Sequence, residues 1–435
     1  MKKILIMMLL TGIMVSATKA LDLTSAEAEK MALSHSFQLK IDRSESEAYR
    51  SNLSAARAGR YPEFSLEAKA LYNSEISTLD ITTPAFSIQR DIGQHEIYQA
   101  DLKISLPLYT GGKILSAVNL AEANLEIKEA LLQKSADEIS FMAKQEFLKL
   151  YKADKLLDAA RSSLMRVELV KNDITSLYNA GAADSVDLFE IELSYNNASF
   201  ELEQSLNNRR RQEIILSILL GLDAAEVINI ISPPQAPEAL NDLTINHFNE
   251  DKPELMAARS GITVYESLLK MNRASYAPNL NLFGSYSYGK PNISPFEENF
   301  NGNFTVGALL NWSFNLGGKT GSKVSMAKYQ LESSRHEYDR VYEQIQKEAK
   351  LAFEGLKLAY SGYQTALKNY EITQNNFRLA QTKNQEGVMS TNHLLDIETN
   401  LSRAESMLYS TEADYHLVLN QYNYITGYKN IKEGK

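Results

Sequence analysis

The sequence predicts a mainly α-helical chain that carries a pair of membrane β-hairpins and is written twice from one structural unit. Three observations lead there. Residues 108–232 hold no proline between Pro107 and Pro233, and residues 296–435 hold none after Pro295, so both tracts admit very long helices. A set of glycines recurs at one fixed offset. Four shorter segments alternate apolar and polar residues with a period of two, the pattern of strands.

In chain order, residues 1–20 read as a secretory signal peptide: Lys2 and Lys3, an apolar run over 4–15, then small residues ending at Ala17 or Ala20. The run is too short to cross about 30 Å of hydrocarbon, so the segment is expected to be cleaved. Loss of its three lysines takes the formal net charge from -9 to about -12, a balance that argues against nucleic acid as a partner. The absence of cysteine excludes disulfides, thiolate metal sites and a lipid-bearing cysteine, so no cofactor or metal is expected and anchoring falls to the fold.

The first structural repeat is expected over 21–232, with strands near 63–72 and 97–109 and helices near 113–179 and 184–220. A linker over 233–252 carries Pro233, Pro234 and Pro237. The second repeat follows over 253–427, with strands near 279–288 and 303–315 and helices near 319–386 and 391–426, before a tail over 428–435. Gly111, Gly112 and Lys113 return as Gly317, Gly318 and Lys319, Gly181 as Gly387 and Gly221 as Gly427, each 206 positions on. Pro62 pairs with Pro278, and the tract around Leu39 with that around Leu255, at 216, so the first copy holds ten extra residues placed in a loop. In the first long tract Ile114, Val118, Ala121, Leu125, Leu132, Ala136, Ile139, Ala143, Phe147 and Leu150 recur at spacings of three and four between charged residues. Such a helix measures on the order of 100 Å, more than an ordinary globular core uses. Gly355 and Gly362 interrupt the second tract seven residues apart, a spacing that suits close helix approach or bending and equally a tolerated surface position.

Phe64, Leu66, Ala68, Ala70 and Tyr72 alternate with Ser65, Glu67, Lys69 and Leu71. Tyr98, Ala100, Leu102, Ile104, Leu106 and Leu108 do the same against Gln99, Asp101, Lys103 and Ser105, and Leu280, Leu282, Tyr286 and Tyr288 mark a further strand. In the last, Phe304, Val306, Ala308, Leu310, Trp312 and Phe314 alternate with mostly polar neighbours. One such strand fits a half-buried soluble sheet, but four after a signal peptide fit an outer membrane, apolar toward lipid and polar toward a lumen, with Tyr72, Tyr98, Tyr109, Tyr288 and Trp312 available as aromatic girdles. Four strands cannot close a barrel, and open edges in hydrocarbon cost several kcal/mol per unpaired group, so the chain must oligomerise. Two copies give a filled bore of eight strands, so an open conduit needs three or four copies.

The sequence at this point resembles the TolC-like outer membrane efflux family over essentially the whole mature chain. The matching pieces are Ala55-Ala56-Arg57-Ala58-Gly59-Arg60-Tyr61-Pro62, Leu106-Pro107-Leu108-Tyr109-Thr110-Gly111-Gly112, and Tyr178-Asn179-Ala180-Gly181 followed by Asp187-Leu188. The resemblance implies a homotrimer in the outer membrane lipid, a twelve-stranded β-barrel continuous with a periplasmic α-helical barrel of coiled coils, and partnership with a periplasmic adaptor (membrane fusion) protein and an inner-membrane transporter. It makes the turns the candidate adaptor-docking surface: Gly181, Ala182, Asp184 and Ser185 in one, Gly387, Val388, Ser390 and Thr391 in the other. The plainer role of both glycines is to cap helices at positive φ. The acidic mouth residues of the family match His393 and Asp396, a histidine where an acid is expected. Asn384 and Met389 stand where the best-known pattern has a tyrosine and an arginine. A ring of Asp396 carboxylates would attract cations, and His393 would add positive charge as pH falls; the alternative for both is a solvated helix face. Glu67, Lys69, Asp101 and Lys103 would line the barrel lumen.

No His-Glu-x-x-His pair, phosphate-cradling loop or nucleophile elbow occurs, so no catalysis is expected. The expected function is the outer membrane exit duct of a tripartite export system for drugs, toxic compounds or ions. The alternatives are the outer membrane part of type I protein secretion, and a coiled-coil surface protein, which would leave the duplicated hairpins unexplained.

Overall fold

A computed structural model describes residues 21–223, 227–237, 248–314 and 316–427. The expected signal peptide, residues 238–247 of the expected linker, residue 315 of the expected last strand and the tail over 428–435 lie outside the described residues. The first half runs β1 (Leu21–Leu23), α1 (Ser25–His35), α2 (Phe37–Ala58), β2 (Glu63–Tyr72), β3 (Ser77–Thr82), β4 (Ser87–Ile92), β5 (Glu96–Tyr109), α3 (Lys113–Asn179), α4 (Ser185–Leu220) and β6 (Ile228–Ile230). The second runs α5 (Pro253–Ala274), β7 (Asn279–Lys290), β8 (Asn301–Asn311), α6 (Lys319–Gln385) and α7 (Thr391–Thr426). The chain contacts fall into two compact units, one drawn from the described residues within 1–40, 134–250 and 343–435, the other from 41–133 and 251–342.

The second unit holds an antiparallel sheet in the order β2-β5-β7-β8, so the hairpin of each repeat lies beside the other through β5 and β7. Its register puts Glu67 opposite Asp101, Asp101 opposite Ser287 and Ser287 opposite Asn303, which makes one face polar. Ala68, Ala100, Tyr288 and Gly302 define the other face, together with Leu66, Leu102, Tyr286 and Phe304. That second face is apolar and open: Leu66 and Phe304 each keep 75% of their surface exposed. Among the described residues, neither edge strand, β2 or β8, has a further neighbour.

Two local departures from the sequence pattern have physical reasons. The register shifts between Pro107 and Tyr109, because proline cannot donate to the ladder, and Tyr109 takes the place opposite Leu280 that simple alternation would give to Leu108. The ten extra residues of the first copy do not form a plain loop. Ser77–Thr82 and Ser87–Ile92 pair as a hairpin of their own, closed where Thr83 Oγ1 donates to the Phe86 carbonyl at 3.0 Å. The same unit packs Leu53 of α2 against Val118, Ala121 and Leu125 of α3, flanked by ion pairs of Arg50 with Glu129 and Lys128 with Glu45.

The first unit is helical, with the small parallel pair β1 and β6 at one place in it. Around that pair Leu23, Ala28, Ala32, Phe147, Leu150, Leu216, Leu220 and Ile228 form a core. Buried Glu213 accepts from the Ile228 amide at 2.8 Å and from Arg209 and Arg210, and these bonds outweigh the upward push of burial to hold its carboxyl below the usual range. A second core joins all four long helices: Val167, Val170 and Ile174 of α3, Ile191 and Ala198 of α4, Ala380 of α6, and Leu394, Leu395 and Ile397 of α7. Gly355 and Gly362 leave α6 unbroken; a methyl group on Gly355 would meet Val418 Cγ1 at 3.9 Å, and one on Gly362 would meet nothing.

Candidate functional site

The turns that join α3 to α4 and α6 to α7 are built alike. Each helix ends on a glycine with positive φ, 75° at Gly181 and 74° at Gly387, which no L side chain adopts freely. Gly181 and Ala182 donate to the Tyr178 and Leu177 carbonyls at 2.9 and 2.8 Å, and Gly387 and Val388 to those of Asn384 and Lys383 at 2.9 Å each. These bonds satisfy two of the last four carbonyls of each helix. Restarting the chain as α4 falls to Asp184, whose Oδ1 accepts from Val186 and Asp187, so Ser185 is the first helical residue. Ser390 does the same for α7, accepting from the His393 amide, and Thr391 is buried beneath it. Val388 stays 75% exposed at the tip of its turn. Asn384 and Met389 are bonded to one another, the side-chain amide donating to the carbonyl at 2.9 Å, so both contribute to closing the turn.

Early in α7, Leu394, Leu395 and Ile397 enter the core shared by the four helices, while His393 and Asp396 remain on exposed surface. On the enclosed side the structure assembles a cluster that sequence reasoning missed. Arg166 of α3 donates from Nε to Glu398 at 3.2 Å and from Nη1 to Glu405 at 3.1 Å, and Ser163 donates to the same Glu398 oxygen at 3.0 Å. The side chains of Glu398 and Glu405 are only 4% and 8% exposed. Burial pushes the Glu398 carboxyl above the usual glutamate range, against the pull of Arg166 and Ser163. One signal was available: Leu394, Leu401 and Leu408 repeat every seven residues, and Glu398 and Glu405 each follow a leucine by four, acids set beside an apolar seam.

The four lumen candidates share the polar face of the sheet. Lys103 reaches Glu67 at 2.9 Å, Gln99 joins Asp101 at 2.8 Å and Ser287 at 2.9 Å, and Ser287 also donates to Asp101. Lys69 stands opposite Gln99. Among the described residues no His, Cys, Asp and Glu grouping could hold a metal ion, and no helix is long and apolar enough to cross a membrane.

A family model described as outer membrane efflux protein matches residues 29–222 and 244–425, once on each half of the chain. The outer membrane protein OprJ of Pseudomonas aeruginosa is 23% identical over 312 residues, which cover 71% of this chain and 64% of OprJ, just under two thirds of that relative. The outer membrane protein VceC of Vibrio cholerae superposes with a TM-score of 0.76 at 15% identity, over 93% of this chain and 96% of its own. The open state of the MtrE outer membrane channel of Neisseria gonorrhoeae gives 0.73 at 16% identity, over 95% and 93%. At such identities the two structures speak for the fold.

Proposed function

The chain belongs to the outer membrane efflux protein family, and from that premise we propose that three copies form a passive exit duct for small molecules, drugs, toxic compounds or ions among them. One observation carries this reading: a four-stranded sheet whose apolar face is bare and whose two edges are unpaired among the described residues. In hydrocarbon those edges are tolerable only when β8 of one copy pairs with β2 of the next, and three copies of four strands make a barrel of twelve. The helices support the same assembly. Leu351, Leu358, Ile372 and Leu379 of α6 lie at multiples of seven residues and are all exposed, as are Val186, Leu193 and Phe200 of α4, two seams of coiled-coil type awaiting neighbours.

Cargo reaches the duct from an inner-membrane transporter through a periplasmic adaptor, which docks on the turns around Gly181 and Gly387. The duct passes it outward without chemistry. Glu67, Lys69, Asp101 and Lys103 keep the barrel lumen wet, and Asp396, one carboxylate per copy beside His393, sets a negative ring at the mouth that favours cations. The purified protein in a planar bilayer tests this. Small cation-selective currents are expected, with the preference for cations lost in Asp396→Ala. An absence of current above the lipid background would overturn the duct, and an unchanged ion preference in the variant would remove Asp396 from the gate.

A further inference from the structure

Asn279 of β7 pairs with Asn311 of β8 at the end of the sheet from which the helices leave. Just beyond that pair the second repeat gathers aromatic and basic side chains. Trp312 donates from Nε1 to the Tyr276 carbonyl at 3.0 Å and lies against Phe314, ring centroids 4.7 Å apart. The Tyr276 hydroxyl reaches α6, where a methyl group on Gly321 would meet it at 3.6 Å. Tyr276 thereby ties the last turn of α5, which carries Arg273, to the first turns of α6, which carry Lys319 and Lys323. All three rings stay more than half exposed, and so do not serve a core.

Charge is unbalanced here. Residues 267–296 and 299–331 contain no acid, in a chain whose formal net charge is -9. The two repeats differ on this point: Arg57 of the first pairs with Glu122 at 3.3 Å, but at the offsets of 216 and 206 their counterparts are Arg273 and Lys328, two cations. Arg273, Lys319 and Lys323 are exposed and, among the described residues, their side chains have no partner. The aromatic groups also belong to the second repeat, since Trp312 and Phe314 stand where the first has Leu106 and Leu108. Unpaired cations beside bare rings, continuous with the bare apolar face of the sheet, call for a neighbour that is anionic at its head and apolar in its body.

We propose that this end of the second repeat is a docking surface for anionic phospholipids of the periplasmic leaflet of the outer membrane. Arg273, Lys319 and Lys323 take the headgroup phosphates, and Tyr276, Trp312 and Phe314 take the upper acyl chains. The proposal rests on the reading of the apolar sheet face as lipid-facing. Each copy in the ring carries one such surface, so the lipid fixes the depth at which the sheet gives way to the helices.

Trp312 is the single tryptophan of the chain, so its fluorescence reports on this place alone. The test adds phosphatidylglycerol or phosphatidylcholine with brominated acyl chains to the full-length protein in detergent micelles and follows the quenching of Trp312. Half-quenching by phosphatidylglycerol is expected at about a tenth of the phosphatidylcholine concentration or less, since each cation near an anionic surface contributes roughly fivefold. The preference is expected to fall to parity in Arg273→Gln/Lys319→Gln/Lys323→Gln. It is expected to persist in Lys347→Gln/Lys350→Gln/Lys368→Gln, which removes the same charge farther along α6. Should the first triple variant fail to assemble, Lys323→Gln carries the test, with a fall of about fivefold. Equal quenching of wild type by the two lipids overturns the proposal and keeps the lipid-facing sheet, whereas no quenching by either overturns both. A preference unchanged in the first triple variant, or in Lys323→Gln when that protein stands in, also overturns the proposal, as does an equal fall in the second triple variant. So does a preference that inorganic phosphate abolishes at an ionic strength where chloride leaves it intact, because free phosphate is then the ligand.

Discussion

Glu398 shows how a buried acid is tolerated inside a helical layer and what it leaves behind as a pH signature. Its carboxyl is raised above the usual range because burial disfavours the charged form more than Arg166 and Ser163 restore it. A group raised on folding contributes stability that is full below its unfolded pKa, about 4.3, and is lost as pH rises through the folded value. Acidifying toward the ordinary glutamate range thus favours the fold at this residue, and Glu398→Gln is expected to abolish that gain. Melting temperatures of wild type and variant, followed from neutral pH downward, check it: wild type should gain on the variant as pH falls. At neutral pH the variant should cost little, since Arg166 keeps Glu405, whereas Arg166→Gln is expected to cost about 3–5 kcal/mol, the cost of stranding buried charge. No local pattern announces this cluster, because Arg166 and Glu398 stand 232 residues apart in sequence and meet only when α3 packs on α7.

Elements were more legible than contacts. Four of the glycines at the fixed offset of 206 carry backbone work that no other residue does without strain: Gly181, Gly221, Gly387 and Gly427 all have φ between 71° and 75°. The alternation of Phe64 to Tyr72 is legible for the same reason, since a period of two survives wherever one face meets lipid and the other water. Lost to sequence reading were the hairpin of β3 and β4, whose short strands lie between polar turns, and the shift at Pro107. The helix caps yield a prediction of their own. A methyl group on Gly221 would run into the His35 ring, while one on Gly181 would meet open space. Gly181→Ala is expected to cost about 1–2 kcal/mol from the left-handed backbone alone, and Gly221→Ala visibly more. Thermal melts of the two variants, side by side, measure the difference; equal losses would mean that the His35 ring yields freely.

For the whole molecule, the fold class followed from duplication, helix length and strand alternation together, because each is a property of pattern and not of any one contact. The copy number did not, since an open conduit of four-stranded units is closed equally by three chains or four. The resemblance to TolC-like channels supplied three. The central claim is that this sheet exists only as part of a ring of copies. Native mass spectrometry of the protein extracted in detergent counts them directly. Three chains per particle is the predicted result; a stable monomer, its β2 and β8 edges and apolar face left uncovered, would contradict the account.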